Sequence, residues 1–68
     1  MPRFYFHLHI GSVIEVDVEG SEFSGLGAAV ADAQRARIEI LIEEGRDCRF
    51  EITDGDGLVL ATVPPANN

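Results

Sequence analysis

The sequence predicts an α+β domain in which four mainly antiparallel strands carry one helix packed on one face, in the chain order β-β-α-β-β. Three observations predict it. Residues 3 to 10 and 13 to 19 alternate apolar and polar side chains, the signature of half-buried strands. Residues 26 to 44 place apolar side chains at helical spacing and end at a glycine. Residues 48 to 63 hold two further strand-like runs around Asp54-Gly55-Asp56-Gly57.

In the first run Phe4, Phe6, Leu8 and Ile10 share one face, and Arg3, Tyr5, His7 and His9 share the other. The second run repeats the pattern, with Ile14, Val16 and Val18 against Glu15, Asp17 and Glu19, and Gly11-Ser12 marks the hairpin between them. Opposed residues share a face, so setting Phe6 against Val16 or Val18 needs an odd-length loop, whereas a two-residue loop would bury an acid. The odd loop is therefore expected, with Glu15 or Asp17 facing His7 on the outer side. Gly20 closes the second strand.

Ser24 is the expected N-cap of a helix that runs to about Glu44, where Gly45 supplies the stop. Leu26, Ala29, Val30, Ala33, Ile40 and Leu41 form the stripe that covers the sheet, and its alanine-rich first half lets the helix axis approach the strands closely. A second apolar strip, Ala31, Ile38 and Ile42, lies on the back of the helix, flanked by Arg35 and Glu39.

Cys48, Phe50 and Ile52 alternate with Arg49, Glu51 and Thr53 to give the third strand. A type I turn with Gly57 left-handed would set Leu60 opposite Ile52, and a two-residue turn would set Val59 there. The fourth strand, Leu58 to Val63, is apolar on both faces, so one of its faces lacks a partner within a monomer. Pro64 and Pro65 end it. A single domain over residues 1–65 and a disordered tail over 66–68 follow.

Sixty-eight residues allow one core. A chain of this size buries only about 60% of its unfolded surface, so a supplement to the core is expected. Cys48 is the only cysteine, which excludes an internal disulfide and leaves a partner subunit as the leading supplement. The net charge of −7, from twelve carboxylates against five arginines, disfavours nucleic acid and anionic membrane as partners. Arg35, Arg37, Arg46 and Arg49 crowd one stretch, yet charges of this kind ordinarily solvate a helix face and a loop. No run is long and apolar enough to span a membrane and no signal-peptide pattern opens the chain, so a cytoplasmic location is expected.

Few residues suggest chemistry. His7 and His9 share the outer face of a strand, with Glu15 and Asp17 across the hairpin, and these four make the candidate set for a metal or small ligand. Pairs of this type also arise simply because they stabilise a sheet. Asp54-Gly55-Asp56-Gly57 resembles the start of a calcium loop, but residues 58 to 65 lack the required acid, so a hairpin turn is expected. Cys48 reads as a buried thiol. Ser12, Ser21 and Ser24 have no spacing that suggests a nucleophile, and Gly25-Leu26-Gly27 completes no phosphate-binding pattern. No enzyme, cofactor or catalytic residue is expected.

Met1-Pro2-Arg3-Phe4-Tyr5-Phe6-His7, Asp17 to Glu22, Leu26 to Ala33, Asp54 to Gly57 and Val63-Pro64 together resemble one family. It is the uncharacterised family, a domain of unknown function, of roughly 70-residue proteins, mostly from rhizobia and related alphaproteobacteria, that typically begin MPRYFFH. The resemblance covers nearly the whole chain. It implies a bacterial cytoplasmic source and carries no activity, cofactor or catalytic residue with it. The sequence departs from the family pattern at His9, Ile10 and Gly25, and His7 is the family-like member of the histidine pair.

The functional expectation is a non-enzymatic protein-interaction module, homodimeric or bound to another protein, with Ala31, Ile38, Ile42, Val59, Ala61 and Val63 as its interface. Two alternatives stand beside it. One is a metal- or small-ligand-binding domain on the outer sheet face at His7, His9, Glu15 and Asp17. The other is an antitoxin-like acidic partner of a basic protein, by analogy of topology and charge.

Overall fold

A computed structural model describes residues 2–66. Its elements are β1 (Arg3–Ile10), β2 (Val13–Glu15), β3 (Ser21–Glu22), α1 (Leu26–Glu44), β4 (Arg49–Thr53) and β5 (Val59–Val63). All strand pairs are antiparallel, in the order β2-β1-β4-β5, and β3 also pairs with β1. The helix packs on one face of this sheet. The α+β class holds, with five strands in place of four, because the expected second strand over residues 13–19 breaks off at Glu15 and a further short strand forms at Ser21–Glu22.

That break begins at the hairpin. Gly11-Ser12 is a two-residue turn, so Ile10 pairs with Val13, His9 with Ile14 and Leu8 with Glu15. The odd-length loop is thus overturned, and Ile14 lies on the outer face. The penalty against burying an acid applies only where the helix covers the sheet. β2 is a three-residue edge strand whose side chains are all exposed, so Glu15 stays in water. Ile14, Val16 and Val18, expected in the core, are exposed, Val18 to 82%.

Asp17 organises the bend that follows. Its carboxylate accepts the amides of Phe6 at 3.1 Å, Glu19 at 3.2 Å and Gly20 at 3.0 Å. An edge amide of β1 is therefore satisfied by a side chain instead of a neighbouring strand. Gly20 completes the bend with φ +72°, where a Cβ would lie 2.9 Å from Arg3 Cγ, the Phe4 carbonyl and Tyr5 Cε2. The chain then rejoins β1 as β3, with Phe4 opposite Ser21 and Arg3 opposite Glu22.

The helix starts one residue later than expected. Gly25, not Ser24, is the N-cap, in an extended conformation and with no side-chain cap. Gly45 ends the helix in the left-handed conformation, its N–H donating to the Leu41 carbonyl at 3.0 Å. Ala29 and Ala33 are buried, with Val30, Ala36 and Ile40 packed around the core, whereas Leu26 in the first turn is exposed. Small side chains at the two closest positions let the helix sit directly on Phe4, Ile10, Phe50, Ile52 and Val63. Phe23 closes the end of this core, edge-on to Phe6 with ring centres 5.6 Å apart.

In the second hairpin Asp54 again uses its carboxylate, accepting the amides of Asp56 and Leu58, while its own N–H donates to the Leu58 carbonyl. This wide turn sets Thr53 opposite Val59, and an extra residue, Leu60, bulges before the ladder resumes. Ile52 therefore faces Ala61, neither Leu60 nor Val59 as expected. At the end of the described chain the Ala66 amide donates to the Asp47 carboxylate at 3.1 Å. The rest of the expected tail, Asn67 and Asn68, lies outside the described residues, as does Met1.

Candidate functional site

The outer sheet face, which the helix does not cover, gathers Tyr5, His7 and His9 from β1 with Arg49, Glu51 and Thr53 from β4. Strand alternation places them there, since Phe4, Phe50 and Ile52 take the helix side. His9 Nε2 lies 3.0 Å from Glu51 Oε1, and Arg49 reaches His9 Nδ1 at 3.2 Å. A guanidinium only donates, so Nδ1 accepts and Nε2 carries the proton given to Glu51. The bond from His9 holds the Glu51 carboxyl below its ordinary range, and Arg49 adds to the effect.

His7 is engaged in the same way. Its Nδ1 accepts the backbone amide of Asp17 at 3.2 Å, which leaves the proton on Nε2 to be given to the buried Thr53 Oγ1 at 3.1 Å. Asp17 does meet His7, but through its main chain. Burial alone would raise the Asp17 carboxyl, and the amides of Gly20, Phe6 and Glu19, with His7 nearby, hold it below its ordinary value instead.

The four metal candidates thus do not converge. His9 turns to Glu51, Glu15 points to the helix side, and the Asp17 carboxylate is spent on backbone amides. In both imidazoles the nitrogen lone pair that would bind a metal already accepts a hydrogen bond. Among the described residues no three His, Cys, Asp or Glu side chains form a group able to hold a metal ion. Glu51 and Arg49 are the partners that alternation within the first hairpin could not reveal, because they arrive from β4.

On the helix side an open cleft of about 270 Å³ is lined by the apolar Leu8, Ile10 and Ile40 and the charged Glu15, Glu44 and Arg46. The four clustered arginines do not form one patch. Arg35 binds Asp32 and Glu39 along the helix, Arg37 donates to the Pro64 carbonyl at 2.6 Å, Arg46 stands at the cleft, and Arg49 serves the outer face. Cys48 is buried, which pushes its thiol pKa up, and Asp47 raises it further.

The expected interface residues divide. Ala31, Ile38 and Ile42 are exposed on the helix back, Ile42 to 77%, and Val59 is exposed on β5. Val63 is only 1% exposed and Ala61 packs on the core. Val63 is corrected to a core position and Ala61 to a partly buried one against the core, because the bulge at Leu60 turns both toward the helix. Leu58 and Leu60, absent from the expected set, are exposed instead, as are Val13, Ile14, Val16 and Val18.

A family profile, Domain of unknown function (DUF6894), matches residues 3–66. The chain belongs to this family. The match spans every strand and the helix, so the family's unit is the whole sheet-and-helix domain just described. No curated protein and no solved structure matches the chain. Among the described residues no helix is long and apolar enough to cross a membrane.

Proposed function

We propose that this domain is a non-enzymatic protein-interaction module that acts as a homodimer. One observation carries the reading: among the described residues ten large apolar side chains stand exposed, while the core holds eight buried apolar residues. Apolar surface in this proportion costs free energy in water and is recovered by covering it. The small core supports the same reading, since a partner subunit adds the buried area that one helix on one sheet does not supply.

The outer polar face supports no competing chemistry. Both histidines, Glu51, Thr53 and Asp17 are hydrogen-bonded to one another or to main chain, which is how a sheet face is tied together. A cytoplasmic location belongs to the same reading, supported by the single buried thiol. Analytical ultracentrifugation from low to high micromolar protein tests the proposal. A dimer is the expected species, and a strict monomer at high micromolar protein overturns it.

A further inference from the structure

We infer that the contact lies at the open edge of β5, where a second copy adds its own β5 antiparallel across a two-fold axis and joins the two sheets into one. This rests on the interaction-module reading and names its surface. β5 ends the sheet order, so among the described residues one side of its backbone meets no strand. A row of free N–H and C=O groups is completed by another strand, and an antiparallel edge is self-complementary under a two-fold.

Charge selects the occupant. The chain carries −7, yet no Asp, Glu, Lys or Arg follows Asp56. The two other groups of exposed apolar side chains are interleaved with acids. Val13, Ile14, Val16 and Val18 alternate with Glu15, Asp17 and Glu19, and Ile38 and Ile42 lie beside Glu39 and Glu43. Two copies meeting at either place would bring carboxylates together, which is repulsive and worsens as the contact dries. At β5 they would not.

The geometry keeps the remaining acids apart. An antiparallel pair centred on Ala61 sends the two turns that hold Asp54 and Asp56 to opposite ends of the shared ladder. Pro64, which has no N–H, sets the end of the pairing. Leu58, Val59 and Leu60, all exposed in the single chain, supply the apolar contact.

The test compares Leu60→Lys and Val59→Lys with Ile38→Lys by ultracentrifugation, with circular dichroism to check folding. The two edge variants are expected to raise the dimer dissociation constant at least tenfold, and Ile38→Lys to leave it unchanged. A second readout needs no variant: amides of residues 59 to 63 in the natural chain should exchange more slowly as concentration rises. A dimer that Ile38→Lys breaks and the edge variants do not overturns this inference while the interaction reading stands. So does a dimer without concentration-dependent protection at residues 59 to 63. A strict monomer of the natural chain overturns both.

Discussion

The two edges of the sheet solve the same problem differently. The edge formed by β2 and β3 is broken in the middle, and the gap is filled by the chain's own Asp17 carboxylate on Phe6 N and its own amide on His7. Acids at 15, 17 and 19 then keep foreign strands away. Among the described residues the β5 edge carries no charge, is not filled by a side chain, and is interrupted only by a bulge at Leu60 and the prolines that follow. One edge is closed from within. The other, among the described residues, is not.

The closed edge should be the more sensitive to substitution, and Gly20 should be its weakest point. With φ +72° and three atoms 2.9 Å from any added Cβ, two of them belonging to packed parts of β1, Gly20→Ala combines backbone strain with a clash. A loss of about 2 to 4 kcal/mol is expected. Urea unfolding of the variant checks it, and a midpoint within error of the natural chain would show that the bend can be made another way.

Asp17→Ala comes next. Its carboxylate serves three amides, and a hydrogen bond to a charged group contributes about 1.5 to 3 kcal/mol net where water is kept away. A net loss of about 2 kcal/mol is expected, because this turn is partly open to water. The pH dependence follows from the direction of the shift. The folded-state pKa lies below the ordinary carboxyl value, so the stabilisation is fully present above that ordinary value and is lost as pH falls through the folded-state pKa. Thermal midpoints between neutral and strongly acid pH should fall less steeply for Asp17→Asn than for the natural chain. Parallel curves would remove Asp17 from the acid response.

How much of this was legible in the sequence depended on which side chains had to be inside. Strand β1, the helix with its stop at Gly45, and the inward alternation of Phe50 and Ile52 were readable because burial enforces period and parity there. The second strand misled for the opposite reason. Ile14, Val16 and Val18 alternate as a buried strand would, but at an uncovered edge nothing enforces the parity, and turn chemistry at Gly11-Ser12 and Asp17 decides instead. The outer network was half legible, with His7 and His9 placed on one face and their partners Thr53 and Glu51 hidden by distance along the chain. The Leu60 bulge left no local signal, and it turned Val63 into the core and Ala61 against it, away from the expected interface.

A smaller effect is expected one layer behind the closed edge. Thr53 is buried and its hydroxyl accepts from His7 Nε2, which fixes the ring that in turn accepts the Asp17 amide. Thr53→Val keeps the shape and removes that partner, at a cost of about 1 kcal/mol. Hydrogen exchange at the Asp17 amide gives a sharper readout than global stability, since the bond to His7 should open more often. Unchanged exchange there would mean that the ring is held by the sheet alone.

The smallest effect on the folded single chain belongs to the open edge. Leu60 is the unpaired residue of the bulge, and at 38% exposed it lies outside the buried core. Leu60→Lys should therefore change monomer stability by less than about 0.5 kcal/mol, in the range of ordinary surface substitutions. The measurement must be made where the natural chain is dissociated, in the nanomolar range with a fluorescent label, because association otherwise adds to the apparent stability. At high micromolar protein the same substitution should lower the unfolding midpoint, by an amount that grows with concentration. If the loss is large and independent of concentration, Leu60 is a structural residue of the single chain, and the contrast between a self-closed edge and an open one does not hold.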